Sequence, residues 1–238
     1  MPVLEWKKVE TVAIITMTNG ENRHNPDFTR AILQALDEIE KDPSIFAVLI
    51  ASNDKKNWSQ GIDLEWIMGV AARQDLPTIR EFMYSLNRMF SRILLYPMPV
   101  IAAINGHTFG DGAMLACACD FRFMKADRGF FCFPEVDINI PLLPGMQAIV
   151  KNVMPYYKFV ELVLSGKRAT APELAASHIL IKASANEEEL MQDALAFAKT
   201  FTKQRPIFGE IKRRMNKHVI EIMEREDPPY IESGQLMK

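Results

Sequence analysis

The chain has 238 residues, 48 % of them apolar and 24 % charged, with a formal net charge of −2. That length holds one large domain or two small ones, and the composition suits a globular protein with a sizeable core. The near-neutral charge, without a basic run interleaved with aromatics, argues against nucleic acid or an anionic membrane surface as partner.

Cys117, Cys119 and Cys132 are an odd number in apolar surroundings. They read as reduced core residues, not as a disulfide framework or a metal site. The opening residues 1–17 lack the apolar core and cleavage site of a signal peptide. No segment approaches the roughly 18 uninterrupted apolar residues of a membrane span. The C-terminal Leu236-Met237-Lys238 is not a peroxisomal address of the Ser-Lys-Leu type. A cytoplasmic location is the expectation.

In chain order, Val3–Trp6 and Val12–Met17 read as an opening β-hairpin. The polar loop 19–24 follows. Asn25-Pro26 then has the form of an N-cap with proline at the first helical position. Phe28, Ile32, Leu36 and Ile39 recur at helical spacing and predict a helix over 26–41. Phe46–Ser52 is a buried strand, 53–63 a polar loop, Leu64–Val70 a helix and Leu76–Leu95 a long amphipathic helix. After residue 97 come strands near Val100–Ile104, Asp120–Met124 and Phe130–Phe133. Helices follow at Met146–Val153, Tyr156–Leu164, Pro172–Ser177, Glu187–Gln204 and Ile207–Glu226, with short strands near Arg168–Ala169 and Ile179–Lys182. The early strand–strand–helix order disfavours a doubly wound nucleotide fold. A mixed core to about residue 170 and a helical part over 171–238 form one functional unit, since no Gly/Ser-rich linker divides them.

The stretch Pro97–Asp120 organises the rest. An apolar strand (Val100–Ile104) enters a turn in which Gly110 and Gly112 flank Asp111, and a helix opens there. A helix start leaves unpaired N–H groups aimed at one point, which suits a resident phosphate or a transient oxyanion. The glycines alone are equally compatible with a tight turn.

Five motifs in order decide between these. FAVLIAS, WSQGIDL, PMPVIAAINGHTFGDGAMLACACDFRFM, FFCFPEVDINIPLLPG and LVLSGKRATAPELAASHILI together resemble the crotonase (enoyl-CoA hydratase/isomerase) superfamily, from the first hairpin to about residue 225. The resemblance implies an α/β, ClpP-like spiral of β-β-α units with a C-terminal helical part that drives trimerisation, as a trimer or a dimer of trimers. It implies an acyl-CoA thioester as substrate, coenzyme A entering only as part of that substrate, and no other cofactor or metal.

The family chemistry is a thioester enolate held by two backbone N–H groups, and the motif positions fall on Gln60 and Asp111. Asn25, Gln60, Ile62 and Leu64 sit where relatives bind the CoA moiety, and Gly110 and Met114 are further substrate-binding candidates. Hydratases of the family carry two glutamates. One position here is Met114; the other is Glu135, in Pro134-Glu135. A single acid suffices to carry a proton from C2 to C4, whereas adding water takes two groups. The resemblance therefore points to a Δ3-Δ2-enoyl-CoA isomerase with Glu135 as the shuttle, its pKa raised by Phe131, Phe133 and Val136.

Alternatives stay open at this level. Asp111 either caps the helix or acts as a second carboxylate in a hydratase or acyl-CoA hydrolase. Glu135 could be a structural carboxylate, and the chain a non-catalytic acyl-CoA-binding scaffold trimer. His107 reads as a packed residue, Asp63 as a helix start, Asp120 as a strand pin. Met114, with Met83, Met89, Met98 and Met146, is core or acyl-pocket lining. Lys212, Arg213, Arg214 and Lys217 form a solvated helix face or meet CoA phosphates.

Overall fold

The first two strands, β1 (Leu4–Val9) and β2 (Val12–Met17), pair antiparallel about a tight turn in which Glu10 takes φ +55°. The structure, a computed structural model, describes residues 2–234, so the C-terminal Leu236-Met237-Lys238 lies outside the described residues. A two-residue strand β3 (Arg23–His24) leads into α1 (Pro26–Glu40). The helix starts where it does because the Asn25 side chain accepts the N–H groups of Asp27 and Phe28, both at 3.1 Å. Its predicted apolar stripe, Phe28, Ile32, Leu36 and Ile39, is fully buried.

The chain continues through β4 (Ala47–Ser52), the short β5 (Asn57–Ser59) and β6 (Gly61–Ile62), then α2 (Leu64–Ala72) and α3 (Leu76–Leu94). Next come β7 (Val100–Ile104), β8 (His107–Phe109), α4 (Asp111–Ala118), β9 (Phe121–Lys125) and β10 (Phe131–Cys132). A single 3-10 turn, Pro134–Val136, follows. The remainder is α5 (Pro144–Val153), α6 (Tyr156–Ser165), α7 (Ala171–Ala176), β11 (Lys182–Ser184), α8 (Glu187–Lys199), α9 (Arg205–Arg225) and α10 (Asp227–Ser233).

Six strands form the main sheet in the order β1-β2-β4-β7-β9-β11, parallel from β2 onward. β4 and β7 are buried along their whole length because the sheet is covered on both faces. Side chains alternate accordingly. Ile15, Val48, Ile50, Val100, Ala102 and Ile104 face the large core shared with α1 and α3. Ile14, Leu49, Ala51, Ile101 and Ala103 face Leu190, Ala194 and Ala198 of α8. Two small sheets, β10-β8-β5 and β3-β6, form beside the main one. Paired strands followed by helices recur along the chain, in keeping with the spiral of β-β-α units that the motifs imply.

Several boundaries differ from expectation. The segment near 168–169 is not a strand but one isolated bridge, Phe131 with Ala169. The strand expected over 179–182 begins at Lys182 instead and adds an edge to the main sheet. With α8 packed on that sheet, the mixed core extends past residue 170. Residues after Asp227 form a helix, opened by the two prolines its first turn tolerates. The three cysteines are buried and free, burial pushing Cys117 and Cys119 up to about 12 and Cys132 to about 11.

Candidate active site

The site gathers where α4 begins. Gly110 takes φ +54° and turns the chain from β8 into the helix, and its own N–H donates to Cys132 C=O at 3.0 Å. The first helical N–H groups, Asp111 and Gly112, have no intrahelical acceptor. They stand beside Gly61 of β6, where a Cβ would come within 2.9 Å of Asp111 N, 3.3 Å of Gly112 N and 2.6 Å of Phe109 O. Gly61 has φ +77°, so glycine is required there on both counts.

The facing loop departs from expectation at one residue. The Gln60 N–H donates to Glu21 C=O at 3.0 Å, and its side-chain amide to Asn57 Oδ1 at 2.5 Å. Gln60 is thus corrected as an oxyanion donor, because its backbone donor is already spent. Gly61 N–H goes to Ser59 Oγ at 3.1 Å and Asp63 N–H to His24 C=O at 2.8 Å. Successive N–H groups along an extended segment face opposite edges. With Asp63 directed at β3, the N–H of Ile62 faces away from it.

Glu135 is carried by the 3-10 turn and reaches back over the glycine: a Cβ at Gly110 would stand 3.4 Å from Glu135 Oε1. Its Oε2 is buried and without a partner. Loss of solvent raises the carboxyl to about 7, its own N–H pulls it back, and the Asp111 charge adds to the rise. One wall of a cavity of about 590 Å³ is Glu135; the others include Val136, Ile140, Leu142, Phe159, Val160 and Leu164. A second hollow, of about 500 Å³, lies between α1 and α3 around Thr29, Phe82 and Ser85, away from Glu135.

The other expected residues take definite places. Asp111 is buried, with Oδ2 2.5 Å from His24 Nδ1 and Oδ1 unpartnered, so its side chain enters the site without capping the helix. Met114 is fully enclosed in the core. Leu64 is exposed at the start of α2, which Asp63 caps by accepting Trp66 N–H at 3.1 Å. The Asn25 carboxamide oxygen is occupied capping α1, while its amide lies 3.4 Å from Asp63 Oδ2. His107 packs against Phe109 and Phe130, and burial together with Lys56, Arg168 and Arg128 holds its ring below the ordinary range.

Asp120 pins β7 by accepting Val100 N–H at 2.8 Å. Lys212 is withdrawn from the basic helix face: it is buried and donates to Asp120 Oδ2 at 2.7 Å and Ile93 C=O at 3.0 Å. That leaves Arg213, Arg214 and Lys217 on the exposed face.

Two residues of the site escape sequence reasoning, His24 and Ser59. Both sit in loops that read only as polar. The available signal is local: a histidine just before an Asn-Pro helix start, and a serine just before the Gln-Gly turn.

A family profile described as enoyl-CoA hydratase/isomerase matches residues 7–231. The chain is 32 % identical over 183 residues to enoyl-CoA delta isomerase 3 of Arabidopsis thaliana, covering 76 % of each chain. It is 30 % identical over 199 residues to a putative enoyl-CoA hydratase of Thermus thermophilus, covering 82 % of this chain and 76 % of the relative. Among solved structures it resembles an enoyl-CoA hydratase/isomerase family protein from Pseudomonas syringae, with a TM-score of 0.88, 22 % identity, and coverage of 99 % of this chain and 98 % of the other.

Proposed function

Since the chain belongs to the enoyl-CoA hydratase/isomerase family and is a crotonase-type enzyme of enoyl-CoA, we propose that its reaction is Δ3-Δ2 isomerisation with Glu135 as the single proton carrier. The observation that carries this reading is the state of Glu135. It is the carboxyl raised to about 7, it has an orphaned oxygen, and it borders an apolar cavity. The enclosed Met114 stands where a second glutamate would be needed to add water.

In this reading the acyl tail enters the apolar cavity and the thioester carbonyl meets the N–H groups of Asp111 and Ile62. Glu135 takes a proton from C2, and the C–H electron pair moves into the carbonyl, forming the enolate. Each N–H donor on the oxyanion contributes about 3 kcal/mol to the transition state. The enolate then collapses, the double bond moves from the 3,4 to the 2,3 position, and Glu135 returns its proton to C4. Nothing else is consumed. A carboxyl near 7 serves both steps, since it takes and gives a proton with small driving force either way.

Asp111 supports a second reading. Its free Oδ1 beside Glu135 makes a carboxyl pair that could add water to a 2-enoyl-CoA or hydrolyse the thioester. Purified protein given trans-3-enoyl-CoA and trans-2-enoyl-CoA separates the two. Isomerisation of the first without hydration of the second supports the single-carrier reading. Hydration or thioester cleavage that disappears in Asp111→Asn overturns it. Assembly as a trimer belongs to the same proposal. Tyr156, Tyr157, Leu164, Ile207, Ile211 and Met215 are exposed apolar residues on α6 and α9, and a monomeric mass by light scattering would rule the trimer out.

A further inference from the structure

His24 is fully enclosed and stacks on Phe28, the ring centroids 4.1 Å apart. Both ring nitrogens have partners: Nε2 lies 3.0 Å from Ser59 Oγ, and Nδ1 lies 2.5 Å from Asp111 Oδ2. Hydrogen-bond accounting places the protons. The Ser59 hydroxyl has one proton, and the Asn22 carbonyl 2.8 Å away can only accept, so the proton goes there. The Ser59 oxygen therefore accepts from His24, and Nε2 carries a proton. Nδ1 and Asp111 Oδ2 then face each other with one proton between them. Drawn as imidazolium–carboxylate or as imidazole–carboxylic acid, the pair is net neutral. The same accounting removes Ser59 as a nucleophile, because its proton points away from His24.

The pair joins the two halves of the site. Ser59 immediately precedes the Gln60–Asp63 loop, and Asp111 opens α4. Gly112 is pressed so closely on Ser59 that a Cβ there would stand 2.7 Å from its Oγ. We infer that His24 is a positioning residue of this site, sharing a proton with Asp111 and donating to Ser59, so that it locks the two N–H-bearing loops together and keeps Asp111 net neutral beside Glu135. The inference rests on Glu135 being the proton carrier proposed above.

Few other groups act on this pair. Asp111 on α4 is the carboxyl that neighbours Glu135, and the Cys132 thiol on β10, pushed up to about 11, stays neutral. Lys151 lines the same cavity with its ammonium over the Phe159 ring, and on α6 Lys158 is paired with Glu161. Near His24, Arg23 is engaged by Glu21 and Glu65.

The test is a titration of Glu135 by carboxyl 13C NMR in the protein without substrate. The wild-type midpoint falls near 7. Asp111→Asn removes a carboxyl whose charge His24 already balances and leaves the midpoint near the wild-type value, whereas His24→Asn strips Asp111 of its shared proton and raises it by about one pH unit. The double variant, which leaves no unpaired charge, returns to the Asp111→Asn value. In 15N-labelled wild type the His24 ring carries a proton on Nε2.

A His24→Asn midpoint that stays or falls overturns the inference, as does a His24 ring protonated on Nδ1 alone. If His24→Asn fails to fold, the ring signals and the double variant decide, and a double-variant midpoint unlike that of Asp111→Asn overturns it. A wild type that titrates as described but leaves trans-3-enoyl-CoA unchanged sinks the isomerase reading and not this one.

Discussion

Helix α4 carries an aspartate at each end, and the two ends are finished differently. Beyond its C-terminus the Arg122 guanidinium, itself buried, donates to the carbonyls of Ala116 at 3.1 Å and Cys119 at 2.5 Å. These are carbonyls a helix end leaves without partners. Asp120 sits beside them, at the end where a negative charge is least welcome, and Lys212 compensates it at 2.7 Å. At the N-terminus the pattern is reversed. The Asp111 and Gly112 N–H groups stay open, Asp111 Oδ1 has no partner, and the nearby Glu135 Oε2 has none either. Buried Asp227 shows what completion looks like: one oxygen receives Gly145 N–H at 2.8 Å and the other the Asn87 amide at 2.9 Å. Asp120 and Asp227 each receive two donors, whereas Asp111 and Glu135 each keep a buried oxygen without one.

The sharpest way to break this contrast is to remove the open acid. Glu135→Gln is expected to lower kcat for isomerisation by about a thousandfold while Tm holds or rises, read by coupled assay and thermal melt. Loss of folding instead would make Glu135 a structural acid. At the closed end, Lys212→Met should cost about 3 kcal/mol in urea unfolding by leaving Asp120 without its cation, with kcat of the folded fraction unchanged. Gly61→Ala, forced into positive φ and against Phe109 O, should cost about 2 kcal/mol and disturb turnover as well, because it pushes on the start of α4.

The pH dependence of the open acid is subtler. A carboxyl raised to about 7 in the folded chain favours the protonated form. Its stabilisation is therefore complete below the ordinary carboxylate range and is lost as pH rises toward 7. Activity should rise over the same interval as the base ionises, and Glu135→Gln should flatten the stability slope in melts at successive pH values. Least of all, Arg214→Ala on the exposed face of α9 should leave Tm unchanged, and a raised KM for acyl-CoA would place that face on the ligand.

What could be read from the sequence follows the same division. β4 and β7 announce themselves as short apolar runs because both faces are covered, and α1 and α3 through apolar residues at helical spacing. Glu135 is picked out by the Pro134-Glu135 motif of the family resemblance, and its aromatic neighbours add only the apolar setting. The two-residue strands β3 and β6 are not, since two residues carry no periodicity. Gln60 misleads because the partner of a backbone N–H is not written in its side chain. His24 finds Asp111 across 87 residues of sequence, and nothing in a polar loop foretells which distant acid it will meet.

The strands nearest the site, β3, β5, β6, β8 and β10, are two or three residues long and stand apart from the six-stranded sheet. Short ladders open at lower free energy than long ones. Heat should therefore loosen the candidate site while the main sheet is still intact, so that inactivation runs ahead of melting and reverses on cooling. The small sheets would then act as a thermal fuse, set below the limit of the frame they are mounted on.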